Sequence, residues 1–502
     1  MPVITKPFIY EINTAVWLNT LSERFKTRIT LANIPEMVID EIAQSHIDYI
    51  WFMGVWTRGN FGRRNALKYK HEYAPVLPDI TDQDIIGSAY AIADYQVEET
   101  LGGREGLASL RQRLKARGIG IILDYVPNHV AIDHAWVSQK PGYIINGDAD
   151  LLKTRPGDFF PGKYADGQDA VFAHGRDPYF SGWSDTAQLN AFNPELRNAV
   201  VKTLLDIASQ CDGIRCDMAM LLMNSIFEHT WHGLVGPAPT QDYWAEIIPQ
   251  IRTQHPNFVF IAEVYWDKEF DMLQQGFDYA YDKVLYDRIV EGDASKIRQH
   301  LLGEINYQNK MMRFIENHDE PRAYHLFGHA RSFATATLIC TLPGGTLLHD
   351  GQFVGRTAKL PVQITRQPSE PLHEDLAQYY LKLLAEMQSA IYQDGQFYLL
   401  EVNSAGTNPT NYQLIAYCWF NQNEYRLIVI NMSASNAVGL VNLSAFQFFN
   451  EQHWKLFDVT DDVEYAVPGA EITDKGLFIS LDAFESHVFR FEAIPSPLYT
   501  SR

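Results

Sequence analysis

Four segments, far apart along the chain, each end an apolar run on polar side chains: Asp124-Tyr125-Val126-Pro127-Asn128-His129, Gly213-Ile214-Arg215-Cys216-Asp217, Ile261-Ala262-Glu263 and Glu316-Asn317-His318-Asp319. Two carboxyl groups held in opposite protonation states can do the work that cleaving a glycosidic bond requires. The leaving oxygen must take a proton from one while the other, ionised, meets the positive charge at the anomeric carbon. Glu263 has the longer side chain and follows an apolar run, where desolvation favours the protonated acid. Asp217 follows Arg215 by two residues, which on a strand puts both on one face, so the guanidinium can keep the carboxylate ionised and oriented. Each residue taken alone has a plainer reading. A strand-end aspartate can cap the next helix, and a lone His129 or His318 can be a structural hydrogen-bonder. The signal is the set of four.

Such residues need a scaffold that brings them to one place. Eight short apolar runs read as strands: Phe8–Ile12, Tyr49–Val55, Ile119–Asp124, Gly213–Asp217, Phe258–Glu263, Phe277–Tyr281, Met312–Glu316 and Thr346–Leu348. They are nearly continuous in apolar residues, as parallel strands covered on both faces are. Helical patterns separate them. Leu107, Leu110 and Leu114 form one stripe between Glu105 and Gly118. Asn193-Pro194-Glu195 reads as a helix start, and Asp375 to Met387 is amphipathic. The alternation predicts an α/β fold, a (β/α)8 TIM barrel over 1–130 and 191–394. An open doubly wound sheet is the alternative, but the glycine-rich phosphate loop of such nucleotide-binding enzymes is missing.

Residues 131–190 are too long for a plain loop and predict a subdomain inserted after the third strand. From 395 to 502 the pattern changes to period two, at Gln413–Phe420, Tyr425–Asn431, Trp454–Val459 and Leu477–Leu481, with no helix between. That predicts a C-terminal antiparallel β-sandwich.

The composition narrows the partners. Of 502 residues, 46% are apolar and the net charge is −20, so nucleic acid and anionic membranes are both disfavoured. No run reaches the ~20 apolar residues of a membrane span. The four cysteines, Cys211, Cys216, Cys340 and Cys418, lack disulfide or metal spacing and predict buried thiols. With no leader before the first strand, the expected location is cytoplasmic.

The four polar segments resemble, in order, separation and residue type, the signature regions of glycoside hydrolase family 13, the α-amylase family. The resemblance spans nearly the whole chain. It implies a retaining hydrolase of α-1,4-linked glucans or maltooligosaccharides, with Asp217 as nucleophile, Glu263 as general acid/base and Asp319 as stabiliser of the transition state. It also implies that Tyr90, His129, Arg215 and His318 contact the reacting sugar or the nucleophile, and that Asp185–Asn190 closes the inserted subdomain. Retention predicts the two reacting carboxyl groups at about 5–5.5 Å. No cofactor is required. Calcium is an option, with Asn128 and the insert's Asp148, Asp150, Asp158, Asp166 and Asp169 as potential ligands.

This chain departs from the family pattern at two places. Met220 and Leu221 stand where many α-amylases carry Lys-His, and Gly87 stands where small-glucoside enzymes often place an aspartate. The alternatives are transglycosylation, or hydrolysis of a small α-glucoside such as sucrose, trehalose or a glucosylated osmolyte. An inactive binding protein on the same fold would typically have lost a carboxylate, and all three are present.

Overall fold

A computed structural model describes residues 4–494 other than 408 and 423. The eight runs read from the sequence are all strands: β1 (Phe8–Asn13), β2 (Tyr49–Met53), β3 (Gly120–Tyr125), β4 (Gly213–Cys216), β5 (Val259–Ala262), β6 (Tyr279–Tyr281), β7 (Met311–Arg313) and β8 (Gly345–His349). They form a closed barrel in sequential order, β1 to β8. Every residue of β2, β3, β4 and β5 is buried. This explains why these strands read as unbroken apolar runs rather than alternating ones.

The chain divides into two compact units. The first holds β1 to β6 and the insert, together with 358–369. The second holds β7, β8 and everything from 370 onward.

The three helices read from the sequence are present, with their ends within three residues of the expected positions. The helix Pro194–Gln210 is capped by Asn193 Oδ1, which accepts from the N–H groups of Glu195 (2.8 Å) and Leu196 (3.2 Å). The helix Gly103–Lys115 buries Leu107, Leu110 and Leu114.

In the insert, Phe159–Lys163 and Asp169–Ala173 form an antiparallel hairpin. His129–Ala131 pairs with Thr186–Gln188, tying the end of the insert to its beginning. The short motif singled out in the sequence therefore does close the excursion.

The C-terminal segment holds a six-stranded sheet and a three-stranded sheet over one core. Leu414, Ala416, Leu427 and Val429 from the larger sheet pack with Val402, Val441 and Ile479 from the smaller. The expectation that no helix intervenes is wrong: Gly469–Asp474 is helical and buries Ile472. The four cysteines are buried and free, as expected.

Candidate active site

Strand register aligns the two carboxylates. In the β4–β5 pair Cys216 lies opposite Ala262, so Asp217 and Glu263 each follow by one residue at the same level. In the β3–β4 pair Arg215 lies opposite Asp124. Backbone bonds fix the strand ends: Asp217 N–H donates to Tyr125 O (2.9 Å), and Glu263 N–H donates to Cys216 O (3.1 Å).

Arg215 is the centre of this arrangement. Its Nη1 lies 2.7 Å from Asp217 Oδ1 and its Nη2 lies 2.8 Å from Glu263 Oε2. Asp124 Oδ1 stands at 3.8 Å. Three rings surround the guanidinium, with centroids at 5.2 Å (Trp51), 5.4 Å (Tyr90) and 5.8 Å (Tyr281). Burial alone would lower the Arg215 pKa. The Glu263 carboxylate, with Tyr90, Tyr281 and Asp217, instead raises it well above its ordinary value. Arg215 is thus a permanent cation inside the barrel mouth, where its attraction for carboxylates is little screened.

The sequence reading placed Glu263 in an apolar setting. The structure gives it more polar company. Its Oε2 accepts from Met218 N–H at 2.6 Å and its Oε1 accepts from the Tyr265 hydroxyl at 2.8 Å. Met218 provides that donor by taking a left-handed backbone, φ +41°. A side-chain-bearing residue there stores strain, as functional turns often do.

His129 is buried, and burial lowers its pKa to about 4 despite a hydrogen bond with the Tyr90 backbone. It is therefore a neutral ring at physiological pH, a hydrogen-bonding group rather than a cation. At the end of β7, in the second unit, His318 Nε2 lies 2.9 Å from Asp319 Oδ2. Asn317 Oδ1 accepts from the N–H groups of Asp319 (2.9 Å) and Glu320 (2.8 Å), which shapes the turn. His318 is buried while the Asp319 carboxylate is half exposed.

Several further residues escaped the sequence reading. Trp51 and Tyr281 lie on strands and looked like core. Tyr265 is two residues past Glu263. Trp266 and Asp267, next in line, both adopt positive φ (+64° and +57°). The indole of Trp266 is over a third exposed and meets the ring of Tyr179 from the insert edge-on at 5.0 Å. Aromatic residues held open to solvent beside a buried carboxylate suit the faces of sugar rings.

Five of the six residues named for calcium are already engaged by other protein groups. Asn128 Oδ1 accepts from Gln188 Nε2 at 3.0 Å, and its Nδ2 lies 3.4 Å from Arg176 O and from His129 Nδ1. Asp158 Oδ2 is held by Arg155 (2.7 Å) and Arg176 (2.9 Å). Asp148 caps a helix, Asp166 closes a turn and Asp169 pairs with Lys163. Arginine charge already occupies Asp158. Asp458, Asp461 and His487 in the C-terminal sheets have ligand atoms within 4.8 Å of one another. Asp458 is already bonded there by His487, Thr460 and the Val488 N–H.

Both departures from the family pattern have a local cause. Met220 and Leu221 are buried in the turn Ala219–Leu222 and present nothing to a ligand. Gly87 has φ +92°, and a Cβ there would stand 2.9 Å from the Arg63 backbone nitrogen, so no aspartate fits.

Comparison with known proteins agrees with this geometry. The α-amylase catalytic-domain family matches residues 74–383. The chain belongs to the α-amylase family. Alpha-amylase 3 of Dictyoglomus thermophilum is 24% identical over 313 residues, which cover 59% of this chain and 58% of that protein. Alpha-amylase MalA of Haloarcula japonica is 24% identical over 376 residues, 72% of this chain and 50% of that one. This amylase-family chain thus spans half to three-fifths of the length of these curated relatives. The crystal structure of an α-amylase from Lactobacillus plantarum shares the fold at a TM-score of 0.67 and 19% identity, covering 97% of this chain and 99% of that one.

Proposed function

We propose that this chain is a retaining α-glucoside hydrolase that cleaves α-1,4 bonds in glucans or maltooligosaccharides by double displacement. The observation that carries the reading is the placement of Asp217 and Glu263 at one level on neighbouring strands, gripping the two terminal nitrogens of one guanidinium. Two carboxylates so placed are the equipment of a retaining mechanism.

Asp217 Oδ attacks the anomeric carbon as Glu263 gives its proton to the leaving oxygen, and a glycosyl ester on Asp217 results. Glu263, now a carboxylate, takes a proton from water, whose oxygen attacks the same carbon and releases Asp217. Arg215 serves both halves. While Asp217 is ionised, the two carboxyls share one cation, and only one of them needs to be charged. Once Asp217 is esterified, the guanidinium it shared faces Glu263, the base of the second half.

In this reading Asp319 hydrogen-bonds the reacting sugar, Tyr90 stacks on it, and His129 and His318 contact it. The chain comprises the barrel over 1–130 and 191–394, the insert over 131–190 and the sandwich over 395–502. Of these, 1–3, 408, 423 and 495–502 lie outside the described residues. Among the described residues no helix is long and apolar enough to cross a membrane. Four buried free thiols support a reducing, cytoplasmic setting.

A second reading, transfer of the glucosyl group to a sugar hydroxyl, is favoured by the exposed Tyr179 and Trp266, which can hold an acceptor. The product profile on maltoheptaose, sucrose and trehalose tests both. Shortened maltooligosaccharides alone support hydrolysis, and products longer than the substrate support transfer. Turnover confined to sucrose or trehalose overturns the glucan assignment.

A further inference from the structure

A cavity of about 540 Å³ lies between the helix Thr14–Phe25 and the segment 58–63. In a chain of net charge −20, its walls carry three guanidinium groups, Arg28, Arg58 and Arg63, and a single carboxylate, Glu98.

The arginines are held in different ways. Arg63 donates from Nε to Ile85 O (2.9 Å) and from Nη2 to Asp82 O (3.0 Å). Arg28 donates from Nη2 to Thr100 O (3.1 Å). Backbone carbonyls orient these groups but leave their charge uncompensated. Arg58 lacks even that support, because its Nε is buried with no hydrogen-bond partner. Burial lowers its pKa to about 10, although Glu98, Asp124 and Tyr90 pull the other way. Glu98 in turn has Oε1 engaged by the Thr100 N–H (3.3 Å) and hydroxyl (3.2 Å).

Arg58 is half-buried, and a guanidinium nitrogen taken out of water without an acceptor is costly. An oxyanion in the cavity would supply both acceptor and countercharge, and the planar fork of an arginine suits phosphate oxygens. The helix Asn60–Lys68 starts at the same wall, but its first turn is already served by Asp133 Oδ2, 2.9 Å from Phe61 N. The arginines therefore make the site.

We propose that this cavity binds a phosphate group, either inorganic phosphate or the phosphate of a small sugar phosphate, on Arg28, Arg58 and Arg63. The inference stands apart from the hydrolase reading, since it uses none of the residues assigned to bond cleavage.

The test is titration calorimetry on the full chain at low ionic strength with inorganic phosphate, glucose 6-phosphate and, as a neutral control, glucose. Saturable binding of both phosphates, none of glucose, and a Kd at least tenfold weaker in Arg58→Met is the expected result. Tighter binding of glucose 6-phosphate assigns the site to a sugar phosphate, and equal affinity assigns it to the phosphate alone. Arg63→Gln, at an exposed position, gives a second reading of several-fold weaker binding should Arg58→Met fold poorly. No saturable phosphate binding, an unchanged Kd in Arg63→Gln and in a folded Arg58→Met, or equal heats from chloride at matched ionic strength overturns the proposal. A chain without glucosidase activity would still give this binding result, so the two claims fail separately.

Discussion

Arg215 and Asp217 lie two residues apart on one strand and meet at 2.7 Å, with the same guanidinium reaching Glu263 at 2.8 Å. One fixed cation thus links the two groups proposed to exchange charge during the reaction. Lysine cannot hold both carboxylates in a planar fork. Arg215→Lys is expected to lower kcat/KM by about 10²-fold or more while the fold survives. Arg215→Leu leaves two carboxylates buried without their cation and is expected to destabilise by about 3–5 kcal/mol. Steady-state kinetics and thermal melts on the pair of variants check this, and a fully active lysine variant would remove Arg215 from the account.

Glu263→Gln removes the proton donor but keeps the shape of the side chain. Substrates with poor leaving groups are expected to slow by about 10²–10⁴-fold, and activated aryl α-glucosides far less in the first half-reaction. The check is a plot of rate against leaving-group acidity for wild type and variant. Equal loss across the series would argue against the acid role.

Trp266 and Tyr179 are exposed and face-to-edge, and Trp266 follows Glu263 by three residues. If they receive sugars beyond the cleaved bond, Trp266→Ala loses a stacking contact of about 0.5–1.5 kcal/mol. KM for maltoheptaose is then expected to rise up to about tenfold, with an aryl α-glucoside unaffected. A parallel rise on both substrates would indicate a disturbed loop instead.

Acid lability has a named source in the first unit. His134 Nδ1 caps a helix by accepting from Trp136 N–H at 3.0 Å, which only a neutral ring can do. Burial lowers its pKa to about 4, and that of His129 likewise. Between pH 6.5 and 4 the unfolded chain binds protons that the folded chain refuses, so stability falls as pH falls through that window. Each ring contributes up to about 3 kcal/mol. Asp48 opposes them: burial raises its pKa to about 6, so its contribution is lost as pH rises from 3.8 to 6. His134→Asn keeps a capping oxygen without the titration, and urea melts at pH 7 and 4.5 are expected to show a smaller loss in the variant. An unchanged loss would exclude His134 as the cause.

The barrel was legible because its strands are buried on both faces, so that β3 and β5 read as apolar runs ending on polar side chains. Asp217 and Glu263 were legible for the same reason, as strand ends. What hid was whatever depends on neighbours in space. Residues such as Trp51 and Tyr281 look like core until Arg215 is found between their rings. Asn128 looks like a metal ligand until the Gln188 amide is found on its oxygen. The helix Gly469–Asp474 is too short for its period to register, and it is held by burial of Ile472. The cavity arginines lie in segments 28, 58 and 63, whose spacing carries no motif.

The central claim is that Asp217 becomes covalently bonded to the sugar, and trapping that bond tests it directly. The protein would be incubated with 5-fluoro-α-glucosyl fluoride, which forms the ester quickly and hydrolyses it slowly, then digested and sequenced by mass spectrometry. One fluoroglucosyl group on the peptide carrying Asp217, and none in Asp217→Asn, is the predicted result. A label on another residue, or turnover of the reagent with no adduct at any time, would contradict it.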